Sequence, residues 1–494
     1  MQYTASNKGK SVFVLAAVPL VNTENAVKGE VLVTAEIVEI PLNGRDFTDL
    51  AFLTPGVLPR AAGGQGAQFN INGARADNTN FIVDGFNDQN PRGAYIQVQP
   101  NLDALEEFKT QTTGYSAEYG RLAGGVVNMA LKSGTNNFHG VLFEFLRNDV
   151  FDARNFFDAA KSSLRRNQFG GTVGGPFTVP HLYKGHDRTF FLFSWESYRQ
   201  SMGQNRLSVV PTVAMRQGDF SAFAPLKDPS LTGTCSATVR TGCFAGNQIP
   251  LSRFSPVALA VQNSYPLPNR SNSSNNYAAN IISPDAWDSY VIKVDHRFSP
   301  QDAISFRWLK RFNRTTVPFN GSDLGTFGSY TGQHQTLGGL SYTHTFGPSL
   351  INEARLGFSR TADREHNLDS GIDSSARFGL PSPGDPSLAG FPRFTVNGIV
   401  ALGDGTGQPV GFTVNNFEYA DTLTWVRGAH LVKIGLDALR SQIFQPYRDN
   451  NRGTFNFLGK VTNQPYADFL LGYPDSASHQ TGVSPNYLFA TNYG

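Results

Sequence analysis

Few residues in this sequence stand in patterns that do covalent chemistry. His181 and His186, in "HLYKGH", make one half of a metal pair, but a zinc site needs a second pair and none follows. They read as loop residues. The "GDGTGQ" run at 403–408 has the glycines of a phosphate loop without the strand before it and the helix after it. No nucleophile elbow and no zinc-protease helix motif occurs. Acidic and basic residues alternate along extended segments, a pattern that solvates a surface rather than pairing an acid with a base. No enzyme, cofactor or metal site is therefore expected. Cys235 and Cys243 share one loop-like stretch, "GTCSATVRTGCF". They form either a disulfide closing that loop, which suits a compartment outside the cytosol, or two free thiols.

Composition narrows the class. The 494 residues exceed one ordinary domain. With 41 basic and 39 acidic residues the net charge is +2, which argues against nucleic acid as a partner. Charged residues make up 16%, below the ~25% usual for soluble domains, while Gly (50), Phe (39) and Tyr (17) are abundant. That mixture suits many strands joined by turns. No apolar run reaches the ~18–20 residues of a spanning helix. "SVFVLAAVPLV" (11–21) follows Lys8 and Lys10 like a signal core, but Pro19 interrupts it and no small-residue cleavage site follows. A short strand or linker is the expectation there.

Two textures follow one another. From residue 12 to about 136 the chain reads as a compact mixed unit. Phe47, Leu50 and Leu53 share one helical face, closed by Pro55-Gly56. Strands are expected at 67–72, 80–84 and 108–112, with Asn101 capping a helical turn, and another in "GGVVNMALKSG". Beyond Phe138, alternating segments of about ten residues recur, the length of a tilted spanning strand. In "SYVIKVDHRFSP", Tyr290, Ile292, Val294 and Phe298 oppose Lys293, Asp295 and Arg297. "TFFLFSWESYRQ", "PSLINEARLGFSR" and "GAHLVKIGLDALR" behave alike. A water-exposed sandwich and a transmembrane barrel share this periodicity. Tight turns alternating with long connections, such as 200–285 and 361–415, favour the barrel.

The ordered motifs "PLVNTENA" (19–26), "EIPLNGRDFTDLAFLTPGV" (39–57), "FNINGARADNTNFIVDG" (69–85), "LDALEEFKTQTTGYSAEYGRLAGGVVNMALKSGTNNFHG" (102–140) and "RNQFGGTVGGPF" (166–177) carry a resemblance. The chain resembles the TonB-dependent outer-membrane receptors, in their Oar-like branch. The resemblance is dense over 19–200 and looser beyond. It implies a mixed α+β plug domain followed by an antiparallel transmembrane β-barrel. The boundaries are 1–18 for a leader or linker, 19–136 for the plug and 137–494 for the first part of the barrel. The family's barrel is longer, so a piece of a longer receptor is expected. Its TonB-contacting segment, upstream of the plug, is not recognisable in this sequence.

The resemblance also implies roles. Gly120, Gly124 and Gly125 match the plug's glycine signature, where positive φ and close backbone packing are expected. The polar loops "ARADNTN" (74–80) and "FNDQNPRG" (86–93) offer Arg75, Asp77, Asn78, Asn87, Asp88 and Gln89 as ligand contacts; ordinary turn chemistry explains the same residues. Arg121, or Arg75, is expected to latch the plug to luminal carboxylates such as Glu144, Glu196 or Glu353. The implied function is import of a large scarce solute (a siderophore, glycan or peptide) across the cell outer membrane with TonB-relayed energy, with TonB and outer-membrane lipid as partners and no nucleic acid. The alternatives are a non-transporting surface or adhesion barrel and, last, a secreted β-rich enzyme.

Overall fold

The structure is a computed structural model that describes residues 2–7, 10–15, 27–59, 69–93, 95–119, 122, 124–154, 161–272, 274–447, 450–480 and 484–493. The backbone separates into two units. One is built from residues up to 96 and 105–132, the other from 97–104 and 133–493.

The first unit opens with a hairpin, β1 (Gln2–Asn7) and β2 (Lys10–Leu15), so the start of the 11–21 apolar run is a strand. Its remainder, 16–21, lies outside the described residues. Then come β3 (Lys28–Val33), a helix at Thr34–Glu39, a 3₁₀ helix at Phe47–Leu53, β4 (Val57–Pro59), β5 (Phe69–Ile71), β6 (Thr79–Val83), β7 (Phe86–Asn87), β8 (Leu105–Thr113) and β9 (Gly125–Leu131). Five strands form a mixed sheet in the order β3-β8-β9-β6-β7, with β9 antiparallel to β8 and parallel to β6. The 3₁₀ helix starts where Asp46 accepts from the Thr48 amide (3.0 Å) and hydroxyl (2.7 Å). It buries Phe47 and Leu50. Leu53, expected on the same face, is exposed, and Thr48 and Ala51 take its place. Phe47 meets Phe108 edge-on at 5.9 Å, and Phe69 meets Phe81 at 6.1 Å, tying the helix and the strands into one core.

Gly124 and Gly125 sit where β9 begins. A Cβ on Gly124 would stand 2.7 Å from the Asn78 carbonyl oxygen. One on Gly125 would stand 2.6 Å from Ile71 Cδ1 and 3.0 Å from the Gln111 carbonyl. Neither has a positive φ. The glycines serve close approach alone, which corrects half of the sequence expectation. Gly120 lies outside the described residues.

The second unit runs β10 (His139–Asn148), β11 (Leu164–Pro176), β12 (Thr189–Ser208), β13 (Tyr277–Arg297), β14 (Asp302–Val317), β15 (Ser329–Gly347), β16 (Leu350–Asn367), β17 (Arg393–Val396), β18 (Val410–Arg427), β19 (His430–Tyr447), β20 (Thr454–Phe457), β21 (Ser476–Ser478) and β22 (Ser484–Tyr493). Ten of these form one antiparallel meander, β10-β11-β12-β13-β14-β15-β16-β18-β19-β22, whose edges β10 and β22 do not pair with each other. The turns at 298–301, 348–349 and 428–429 are short; the connections at the opposite end, 209–276, 368–409 and 448–483, are long.

Burial decides what periodicity left open. One cross-strand row, Ser194, Val291, Leu309, Leu337, Ser359, Asn416 and Ser441, is buried throughout. The adjacent row, Phe193, Ile292, Trp308, Gly338, Phe358, Phe417 and Arg440, lies on the opposite face. Glu196, Lys293, Arg307 and Glu418 are buried, while Leu142, Leu356, Ile434 and Leu436 are more than half exposed. Polar inside and apolar outside is the reverse of a water-exposed sandwich and the arrangement a lipid-facing barrel wall requires. Two carboxylates break the outer band: Glu144 on edge strand β10, and Asp421, which accepts from Asn352 Nδ2 at 2.8 Å.

The strands are longer than expected; β12 has 20 residues and β13 has 21. Their outer face changes character about ten residues above the short turns, at Arg199, Asp288, Lys310, Arg360 and Arg440. The lower halves of the long strands β12–β16, β18 and β19 span the membrane, and their upper halves continue beyond it. There the long connections pool their side chains into one core: Phe220, Phe254 and Val261 from 209–276; Leu324 and Phe327 from 318–328; Phe391, Phe394 and Leu402 from 368–409; Tyr466, Phe469 and Leu470 from the last. β17 pairs in parallel with β20, and β20 antiparallel with β21, to brace it. Buried Asp468 accepts from the Thr462 hydroxyl (2.6 Å) and amide (2.8 Å) and the Val461 amide (3.2 Å), fixing the turn that starts the helix at Pro465–Leu471.

Candidate ligand-binding site

In the first unit the two polar loops separate into different kinds. Arg75, Asp77 and Asn78 lie at a 3₁₀ turn, Ala76–Asn78. The Arg75 guanidinium, 83% exposed, pairs with Asp77 at 3.2 Å. Asn87 and Asp88 are buried. Asn87 Nδ2 donates to Asn80 Oδ1 at 3.1 Å, and the Asp88 amide donates to Phe81 O at 2.9 Å. Gln89 Nε2 donates to Thr79 O at 2.8 Å. The second trio is bonded into the β6–β7 fabric, whereas in the first the Arg75 side chain is exposed.

The latch residues part as well. Arg121 lies outside the described residues. Glu196 is on the polar, buried face and accepts from Gln168 Nε2 at 2.6 Å. Glu144 is not luminal. Its register places it opposite Phe169, on the face of Leu142 and Trp195. The alternation of "GVLFEFLRND" alone does not say which parity faces inward; the pairing with β11 does. Glu353 stays on the inner parity, beside Arg355 at 3.6 Å.

The second unit adds groups that sequence reasoning missed. The residue 97–104 segment reaches the polar face of the sheet. Asn101, expected as a helix cap, donates its Nδ2 to Ser194 Oγ at 2.9 Å, and Thr172 Oγ1 reaches the same oxygen at 3.0 Å. Higher on that inner wall, Tyr198 and Trp287 stack at 5.4 Å with an interplanar angle of 2°. Arg166 covers the Tyr198 ring at 5.6 Å and Arg311 the Trp287 ring at 4.0 Å. Gln200 accepts from both Arg166 Nε and Tyr198 Oη at 2.9 Å. The stack crosses β11 to β14, so no local motif announces it. Its aromatic faces are covered, and it offers the rims of a cation-bearing shelf.

In the connecting core, Asp404, Asp369 and Arg452 form the main buried charge cluster. Arg452 Nε is 3.5 Å from Asp404 Oδ2, which also accepts the Phe391 amide at 2.8 Å. The "GDGTGQ" run therefore places a buried carboxylate. Gly403, at φ 98°, lets its backbone pass against Pro392. Burial first, and then the like charge of Asp369, pushes Asp404 up to about 8, with Arg452 pulling it down. Burial raises Asp369 too. An acid with a higher pKa folded than unfolded holds its proton more tightly in the folded state. Its stabilisation is complete below the ordinary value of 3.8 and is lost as pH rises toward about 8. The connecting core should thus lose hydrogen-exchange protection between about pH 4 and pH 8. Asp369→Asn, which removes the like charge, should flatten that dependence; an unchanged profile in the variant would assign the titration elsewhere.

Cys235 and Cys243 are disulfide-bonded, with Cα atoms 5.0 Å apart, at the tip of the 209–276 connection. Among the described residues no group of three or more His, Cys, Asp or Glu side chains is arranged to hold a metal.

Residues 130–494 match the family model described as an outer membrane beta barrel domain, and residues 23–127 match the TonB-dependent receptor plug domain. The TonB-dependent transporter Oar of Myxococcus xanthus is 28% identical over 147 residues, covering 28% of this chain and 13% of Oar. Among solved structures, the outer membrane transporter YddB from Escherichia coli superposes with a TM-score of 0.55 at 10% identity, covering 94% of this chain and 54% of YddB. The ferric enterobactin receptor PfeA of Pseudomonas aeruginosa has a TM-score of 0.46 at 13% identity, over 87% of this chain and 51% of that one. The chain thus spans about half of YddB and a smaller share of Oar. With the barrel model matching most of the chain, the chain belongs to the outer membrane β-barrel domain family, and the unit before the barrel matches the plug of TonB-dependent receptors.

Proposed function

We propose that the receptor binds a large scarce solute at the cell surface and imports it across the outer membrane with energy relayed by TonB. The observation that carries this reading is the pairing of a plug-family unit with a barrel wall whose polar face is buried and whose apolar face is exposed. No chemical step is needed. The solute meets the connecting core and the inner shelf of Arg166, Tyr198, Trp287 and Arg311, and TonB acts on the plug. The exposed Arg75–Asp77 turn is the plug's own ligand contact.

The test uses the full-length receptor in cells with and without TonB, supplied with a panel of ferric siderophores, cobalamin and oligosaccharides. Accumulation of one solute only in the TonB-bearing cells is expected. Joint Arg75→Ala and Asp77→Ala substitution should weaken binding of that solute about tenfold, leaving the heat-dependent gel shift intact. Unchanged affinity would remove this turn from the site. Uptake equal in both strains, or surface attachment without accumulation, would replace import with the adhesive reading.

A further inference from the structure

Residues 97–104 fall inside the stretch that matches the plug model, 23–127, yet their contacts place them with the wall. The chain changes partners abruptly. Ile96 still bridges Gln89 of the first unit, and Leu105 already opens β8 against Leu131. Between them, two junctions fix the segment to the second unit. At one, the side-chain amides of Gln97 and Asn416 meet at 2.9 Å, and Asn416 also donates to Ser359 Oγ (3.2 Å) and accepts from Ser441 Oγ (2.7 Å). At the other, Ser194 Oγ accepts from Asn101 Nδ2 (2.9 Å) and from Thr172 Oγ1 (3.0 Å). Ser194, Ser359, Asn416 and Ser441 belong to one cross-strand row, and its members between the two junctions, Val291, Leu309 and Leu337, are apolar. The segment has the same order, with Gln97 and Asn101 at its anchors and Val98 and Pro100 between them. Gln97 and Val98 are wholly buried, and Asn101 is 3% exposed.

A segment bonded in this way and sealed from water is costly to lift, because each parted junction strands a buried donor or acceptor. The junctions also set a height. Ser194 is four residues below Tyr198 on β12, and Val291 is four below Trp287 on β13, about 13 Å at strand rise. We propose that residues 97–104 are a fixed strap of the wall: the strap stays bound during import while the rest of the plug-matching sequence is displaced, and it forms the floor beneath the Tyr198–Trp287 shelf. Gln97, Asn101, Ser194 and Asn416 are its positioning residues. Solute leaves the shelf past the flank of the strap, without lifting it. The role in import rests on the function proposed above; the attachment of the strap to the wall does not.

Thiol labelling of the full-length receptor with a maleimide tests the attachment. Cys235 and Cys243 are disulfide-bonded and stay silent. In rising urea, Ile82→Cys in the first unit should label first, and Val98→Cys should label only as the heat-dependent gel shift is lost. Labelling of both at one urea concentration would overturn the strap. Asn101→Ala and Asn416→Ala together should speed labelling at 98 about tenfold, the worth of one to two hydrogen bonds, and leave labelling at 82 unchanged. An unchanged rate at 98 would overturn the two junctions. The role in import is read with Asn101→Cys and Ser194→Cys, oxidised to a disulfide, in TonB-bearing cells given the panel of ferric siderophores, cobalamin and oligosaccharides. Uptake equal to that of the reduced pair is expected. Uptake lost on oxidation and recovered with reductant would show that the strap must move, and would overturn the proposal. If the wild type accumulates no member of the panel, the import reading fails, and the order of labelling alone upholds or overturns the strap.

Discussion

Arg452→Met is expected to open the connecting core while leaving the strand sheet intact. Arg452 is 5% exposed and Asp404 1%, so the pair is sealed from water. Methionine keeps the stem and deletes the charge and the donors to Gly405 O (2.8 Å) and Leu388 O (3.4 Å). Removing one partner of a buried pair costs about 3–5 kcal/mol, since the remaining charge has neither water nor a counter-ion. Part of that is relieved at neutral pH because Asp404, already pushed up, takes a proton. Residues 368–409 and 450–480 should exchange amide hydrogens faster and become sensitive to protease, more so as pH rises. Hydrogen exchange read segment by segment tests this. If β12 to β16 lost protection equally, the connecting core and the strands would form one cooperative unit and the expectation would fail.

Gly125→Val should cost the plug about 3 kcal/mol or more, the upper range for forced overpacking. A valine Cβ there meets Ile71 Cδ1 at 2.6 Å and the Gln111 carbonyl at 3.0 Å. The isoleucine end can rotate away; the carbonyl belongs to β8, which pairs with β9, and cannot move without breaking the ladder. Both γ-methyls then enter a core already filled by Phe81, Phe108 and Met129. The measurement is the yield of protease-resistant plug in the purified receptor. Ala at 125 should cost less than Val. Equal resistance for wild type and Val would show that the sheet yields and that the glycine is not required for packing.

Much of the strand wall was legible because its two faces differ in chemistry at every second residue, and that alternation needs no partner to be seen. Which face is inward was not legible. Tyr290 against Lys293 fits a sandwich and a barrel alike; the unequal connections favoured the barrel, and burial of the polar face agrees. Strand length was underestimated because the outer pattern turns polar at Arg199 and Arg360, which reads as a strand end although the ladder continues. The plug's short strands were placed to within a few residues, since Gly, Asn and Pro mark its turns. The shared core was invisible. Phe220, Leu324, Phe394 and Phe469 come from separate connections, and each alone looks like an apolar residue stranded in a polar loop. For the same reason "GDGTGQ" gave no hint that Asp404 turns toward Arg452. The ligand-contact expectations fell where turn chemistry and recognition use the same residues: Asn87 and Gln89 bond to Asn80 Oδ1 and Thr79 O, while the Arg75 guanidinium is exposed.

The strands' extra length bears on what an approaching particle touches first. Ten further residues of tilted strand lift the connecting core about 25 Å above the hydrocarbon boundary. An approaching particle therefore meets a folded protein tip before it reaches lipid. Substitutions should be tolerated on the exposed skin of this tip, while its aromatic interior and the Arg452 pair stay fixed by packing.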